Sequence, residues 1–162
     1  MSQPAPLPES ALYEPVRALL VAAGYTVRGE VLGCDIAAVR DGALVVVELK
    51  RRLGVDLLVQ ATQRQRACDT VYVALPETVV RDGRTWRRKE HLLKRLELGL
   101  ILVRGARARV VFHPQPCPRN RRKKQQRALI AEVGARSGDY HPGGVPGRKV
   151  VTAYRETALW LA

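Results

Sequence analysis

The stretch that decides the fold runs Gly33-Cys34-Asp35-Ile36-Ala37-Ala38-Val39-Arg40-Asp41-Gly42-Ala43-Leu44-Val45-Val46-Val47-Glu48-Leu49-Lys50. Two apolar runs flank Asp41-Gly42, a dipeptide suited to a tight hairpin because both positions tolerate positive φ. Val45-Val46-Val47 is apolar without alternation, which marks a central strand covered on both faces. Asp35 opens the first strand, and Glu48 and Lys50 close the second. Side chains two apart on a strand share a face. Glu48 and Lys50 therefore point the same way, and Leu49 points into the core. The hairpin brings Asp35 beside them, so two carboxylates and one ammonium meet at one end of a sheet.

Phosphodiester hydrolysis uses this combination. Two carboxylates and a backbone carbonyl suit Mg²⁺ (or Mn²⁺), a hard cation that prefers oxygen. Such an ion neutralises transition-state charge and acidifies a bound water, and a neighbouring lysine can orient that water or stabilise developing charge. The plain alternative is a salt bridge, in which Glu48 pairs with Lys50, Arg51 or Arg52, as surface ions often do at little energetic gain.

Outward from this stretch the pattern alternates. Leu12, Val16, Leu19, Leu20 and Ala23 form a helical stripe, with Pro15 near the first turn and Gly24 at the end. Strands are expected over 26–31, 35–40 and 43–49. Asp56 is expected to cap a helix running to about Cys68. An apolar strand follows over 70–75, then a basic helix over 86–98, then strands over 100–104 and 109–113. Helix, three strands, helix, strand, helix and two strands imply an α/β sandwich around a mixed sheet. Pro114, Pro116 and Pro118 break the pattern. A basic run over 119–127 leads into two short helices around a glycine-rich loop. Residues 1–9 read as a proline-rich disordered leader, 10–118 as the core, and 119–162 as a basic linker with a helical, winged-helix-like or hairpin tail.

The 162 residues suit one domain with a small appendage. Lys and Arg number 28 against 15 acidic residues, a net charge of +13. The excess is local: residues 81–127 hold 16 basic and 3 acidic residues, whereas residues 1–80 hold 8 and 9. A stripe of this kind calls for a polyanion. No apolar run approaches the roughly 20 residues of a membrane helix. Met1–Glu9 has neither the basic nor the apolar region of a signal peptide. Cys34, Cys68 and Cys117 have no metal-binding spacing, so neither a disulfide framework nor a zinc site is expected, and the compartment expected is the reducing cytoplasm.

Helix, Asp35 at the head of a strand, a hydrophobic strand ending Glu48-Leu49-Lys50, and a helix carrying Gln60 together resemble the PD-(D/E)XK nuclease superfamily. The sequence looks closest to a bacterial family of otherwise uncharacterised PD-(D/E)XK phosphodiesterases. The likeness extends over Gly24-Tyr25 to Asp35, the Glu48–Lys50 motif, Gln60, Val71-Tyr72-Val73, and the tail from Ser137-Gly138-Asp139 to Thr152-Ala153-Tyr154-Arg155. It implies a restriction-endonuclease-like α/β/α core with a mixed central sheet and a small helical C-terminal appendage. Asp35 and Glu48 would be Mg²⁺ ligands completed by the Leu49 carbonyl. Lys50 would be the catalytic lysine, and Gln60 would line the site. Cys34 stands where the superfamily name puts proline. An acidic residue from the first helix is common in the superfamily; Glu30 ranks slightly ahead of Glu14 for that place.

The partner expected is nucleic acid, DNA ahead of RNA, with Arg87, Arg88, Lys89, Arg119, Arg121, Arg122, Lys123 and Lys124 on phosphates. Such contacts give grip and salt sensitivity without sequence information. Trp86 is either a base-stacking platform or a packed residue. Cys34 is expected to pack, since thiolates do not suit Mg²⁺. His91, His113 and His141 form no metal spacing. The competing functions are a non-catalytic nucleic-acid-binding module and, further off, a membrane-surface protein using the leucines of 86–98. A dimer is compatible with the sequence and not required by it.

Overall fold

The computed structural model describes residues 8–80, 83–117, 123–135 and 157. The chain divides into two units, residues 1–117 and 118–162. In the first, six strands form one sheet in sequence order: β1 (Thr26–Val31), β2 (Cys34–Arg40), β3 (Ala43–Leu49), β4 (Thr70–Pro76), β5 (Gly99–Arg104) and β6 (Arg107–Phe112). Strands β1, β2 and β3 pair antiparallel, β3, β4 and β5 parallel, and β5 and β6 antiparallel. The parallel steps need crossovers. These are helices α2 (Val55–Arg64) and α3 (Gly83–Arg95), while α1 (Tyr13–Ala22) precedes the sheet.

Strand periodicity sorts the core into two layers. Leu12, Val16 and Leu20 of the N-terminal helical segment pack on Ile36, Ala38, Val45, Val47 and Leu49. Leu57 and Ala61 of α2 and Trp86 and Leu93 of α3 pack with Val46, Val71, Val73, Leu100 and Leu102 on the other face. This is the expected α/β/α sandwich, and the sheet is mixed as its element order implied. In β3 every residue from Val45 to Leu49 is buried, as the valine run predicted.

Two turns fix the register of the first three strands. Asp41 and Gly42 have φ of 51° and 77°, the expected tight hairpin. Leu32 and Gly33, with φ of 49° and 81°, make a second such turn between β1 and β2. Sequence reading gave no turn there, because leucine is a poor resident of positive φ. Its side chain is 96% exposed, so the position has no packing role.

Other boundaries shift. Helix α2 starts at Val55 with Gly54 as its N-cap and no side-chain cap bond. Asp56 therefore lies in the first turn, where its charge suits the helix dipole. Helix α3 starts at Gly83, three residues before Trp86, and ends at Arg95. Strand β6 begins at Arg107, because only Gly105 and Ala106 are needed for the turn after β5. Glu9, expected in the leader, opens a 3-10 turn over Glu9–Leu12. In the second unit, α4 (Lys123–Ala135) carries the expected stripe of Leu129, Ile130 and Val133, all exposed; the glycine-rich loop and its following helix lie outside the described residues.

Candidate active site

Strands β3, β4 and β5 are parallel, so their carboxyl ends share one edge of the sheet, the usual place for ligands in open α/β sheets. Glu48 sits there. Its neighbour Val46 faces the α2 and α3 layer, and by alternation Glu48 faces it too. Only 2% of Glu48 is exposed, and it is the one charged residue buried among the described residues. The β2–β3 register pairs Ile36 with Val47, so one step further Asp35 stands beside Glu48. The Leu49 amide donates to Asp35 Oδ2 at 2.7 Å, which fixes that carboxylate against the strand end. Lys50 follows, its amide bonded to the Ala74 carbonyl at 3.1 Å. The sequence-predicted Asp35, Glu48, Leu49 and Lys50 thus come together.

Glu48 is held from α2. Arg64 Nε donates to Glu48 Oε1 at 2.6 Å, and the same guanidinium bonds the Gly33 carbonyl. Burial pushes the Glu48 carboxyl above the usual range; the Arg64 bond pulls it back and Asp35 pushes it further up. The bond to Glu48 holds the Arg64 guanidinium even more firmly protonated. Gln60 lies one turn before Arg64 on the same helical face. Its Oε1 is buried with no hydrogen-bond partner, the only such side-chain atom among the described residues. Buried oxygens are nearly always satisfied, so an orphan beside a proposed site asks for a ligand.

Of the acidic residues near the chain's start, Glu9 is the one with an ion pair to Lys50. Glu14 is exposed on α1 and lies 3.8 Å from Arg17. Glu30 is exposed at the end of β1 with φ of 51°. Glu9, just before α1, reaches the site: its Oε2 lies 3.4 Å from Lys50 Nζ. Sequence reasoning missed Glu9 because Pro4, Pro6 and Pro8 make its surroundings read as leader. Arg64 had a visible signal, its i, i+4 relation to Gln60.

The donor set fits a hard divalent cation. Asp35, Glu48 and Gln60 offer oxygens, the atoms a hard cation prefers, while no group of three or more His, Cys, Asp or Glu residues placed to hold a metal ion of any kind occurs among the described residues. Cys34 packs against the α2 layer, and burial pushes its thiol up, away from the metal-binding thiolate.

The basic residues divide by position. The chain leaves the carboxyl end of β4 at Pro76 and enters α3 at Gly83. Arg87 and Arg88 are therefore exposed in the half of α3 nearer the site's sheet edge, with Lys89 half-buried behind them. Helix α3 packs through Trp86 and Leu93 on the sheet face to which Glu48 points. Arg104 and Arg107 flank the β5–β6 turn at the same edge. Lys124 is exposed on α4, and Lys123 opens that helix; Arg119, Arg121 and Arg122 lie outside the described residues. Trp86 is 5% exposed and its indole donates to Glu90 at 2.7 Å, so it packs and offers no stacking surface. His113 bonds Tyr72, His91 is exposed, and His141 lies outside the described residues. No helix among the described residues is long and apolar enough to cross a membrane.

Comparison with known proteins gives a family match to the C-terminal part of the chain. No curated protein matches the chain. Among solved structures, a protein of unknown function from Silicibacter pomeroyi (SPO1766) is similar, with 20% identity and a TM-score of 0.48 over 77% of this chain and 82% of that one. The model of the family described as "Putative PD-(D/E)XK phosphodiesterase (DUF2161)" matches residues 100–162. The match takes in β5, β6, α4 and the Ser137–Arg155 tail, downstream of Asp35 and Glu48, so it bears on the family and not on those side chains. The C-terminal part of the chain is thus similar to the same family that the sheet-end motif resembles.

Proposed function

We propose that the protein is a metal-dependent phosphodiesterase that hydrolyses the backbone of nucleic acid, DNA ahead of RNA. One observation carries the reading: Glu48, almost fully buried at a strand end, stands beside Asp35, with Lys50 two positions further along the chain. A carboxylate buried there is costly to stability, and function is the common reason such a cost persists. Asp35, Glu48 and the Leu49 carbonyl would hold Mg²⁺ or Mn²⁺, with Gln60 Oε1 lining the site. When bound, the cation supplies charge neutralisation and an acidified water. Lys50, paired with Glu9, would orient the attacking water and stabilise developing charge. Arg87 and Arg88 hold phosphates on the same face.

A second reading, a nucleic-acid-binding module with a quiet site, has its own support: Arg64 and the Leu49 amide already occupy an oxygen on each carboxylate. Incubation of the protein with plasmid and with single-stranded DNA, in Mg²⁺ or Mn²⁺, separates the two. Cleavage that falls by about 100-fold or more in Asp35→Ala and in Glu48→Ala is expected, the scale of losing an electrostatic catalytic group. Cleavage untouched by both changes would sink the site assignment. Tight binding without cleavage of any substrate would favour the module.

A further inference from the structure

We propose that Arg64 and the divalent cation compete for Glu48, so that Arg64 is the resting-state occupant of the metal site and is released toward the phosphodiester when the ion binds. The inference rests on the phosphodiesterase reading, and it adds a positioning residue that the sheet-end motif does not contain.

Four observations carry it. Arg64 Nε donates to Glu48 Oε1 at 2.6 Å, a short charge-assisted bond on the very oxygen that the ion would need. Glu48 is the buried carboxylate, 2% exposed, while the Arg64 side chain is 27% exposed and so reaches solvent. Arg64 also bonds the Gly33 carbonyl, in the turn just before β2, so it ties Glu48 on β3 to the approach to Asp35. Gln60, one turn away on the same face, keeps its Oε1 buried and unpartnered beside an arginine that could have satisfied it. Arg64 has settled on the carboxylate and left the amide oxygen to another ligand.

Charge decides the rest. Asp35 and Glu48 together bring two negative charges. Arg64 alone leaves one uncompensated, and a divalent cation alone neutralises both. With ion and guanidinium together the site carries an excess positive charge, which an incoming phosphate diester cancels. Arg64 suits that last step, because its fork matches phosphate oxygens and it stays charged at any working pH. Displacement from Glu48 by the ion thus turns a structural cation into a substrate-facing one.

The test measures Mn²⁺ binding to the full chain by calorimetry, in the native protein, in Arg64→Met and in Arg64→Lys. Competition predicts that Arg64→Met binds Mn²⁺ about tenfold tighter than the native chain, because a unit charge is removed from the ion's neighbourhood. Arg64→Lys, which keeps the charge, stays near native. Weaker binding in Arg64→Met would overturn the inference, since it would make Arg64 a support for the ligand rather than its rival. Because Arg64→Met also strips Glu48 of its partner, a second measurement uses the native chain alone. Titration with Mg²⁺ should shift the NMR signal of the Arg64 Nε–H group; Mg²⁺ binding that leaves this signal unmoved overturns the inference whatever the variants do. If neither the native chain nor Arg64→Met binds Mn²⁺, the phosphodiesterase reading falls as well, an outcome distinct from weakened binding in the variant alone.

Discussion

Two polar pairs, each with one buried member, sit on neighbouring strands and opposite faces of the sheet. Glu48 of β3 meets Arg64 on the α2 side at 2.6 Å. Tyr72 of β4 meets His113 on the α1 side, Oη to Nδ1, also at 2.6 Å. In both, burial pushes the ionisable group's pKa up. The resemblance ends with the charge. Tyr72 is buried neutral, with its one polar atom bonded, an inexpensive arrangement for a core. Glu48 is buried with an ionic partner, and attraction between buried ions commonly fails to offset their lost hydration. The Tyr72–His113 pair costs the fold little, whereas the Glu48–Arg64 pair is a cost that the phosphodiesterase reading explains by chemistry at the sheet's carboxyl edge.

The comparison is most severely tested by removing the ionic pair piecemeal and whole. Arg64→Leu strands a buried carboxylate and is expected to cost about 3–5 kcal/mol. The double change Glu48→Leu with Arg64→Leu is expected to recover all of that and to exceed the native stability by about 1–4 kcal/mol, while abolishing cleavage. Urea melts of the three proteins, with two-state fits, check this. A double variant less stable than the native chain would mean that the pair is structural after all, and the contrast with Tyr72 would collapse.

How far the sequence revealed this division follows from residue type. The valine run, the Asp41-Gly42 hairpin and the parallel steps were legible because each has a strong local signature: burial on both faces, positive φ, and helices between strands. Asp35, Glu48 and Lys50 were legible because strand alternation converts spacing into facing. Arg64 and Glu9 were not assigned to the site, since each reaches it from a different element. Glu9 spans 41 positions to Lys50 and Arg64 spans 16 to Glu48, and no periodicity encodes such contacts. The Leu32-Gly33 turn was hidden because one of its two positive-φ residues is a leucine. Trp86 was equivocal from its basic neighbours alone; only the packing of α3 shows it buried.

Gly99 sharpens the other half of the comparison. It lies opposite Tyr72 in the β4–β5 register. A Cβ at this position would meet Tyr72 Cδ1, and would come within 2.6 Å of Tyr72 Cε1 and 2.7 Å of Pro114 Cδ. The ring can therefore lie flat over the strand only because residue 99 has no side chain. Gly99→Ala is expected to cost about 1–3 kcal/mol by overpacking, with Mn²⁺ binding at the far edge unchanged once the protein is folded. A thermal melt with and without Mn²⁺ reads both quantities. A variant as stable as the native chain would show that the ring shifts freely, and that the Tyr72–His113 pair is loosely held.

The smallest effect is expected at the tyrosine hydroxyl itself. Tyr72→Phe keeps the ring and removes one hydrogen bond, a loss of about 1 kcal/mol near neutral pH. The pH dependence carries the sharper information. Burial, with a smaller contribution from Tyr25, raises the folded-state pKa of Tyr72 above its unfolded value of 10.0. A group raised in this way gives stability that is fully present below the unfolded value and is lost as pH rises through the folded one. The native chain should therefore lose stability more steeply than Tyr72→Phe above about pH 10, because only the native chain must ionise a buried phenol there. Denaturation midpoints from pH 8 upward, taken for both proteins, should converge on the alkaline side. A constant gap between the two curves would mean that Tyr72 titrates as an ordinary solvated phenol, and that the α1 face is less closed than its packing indicates.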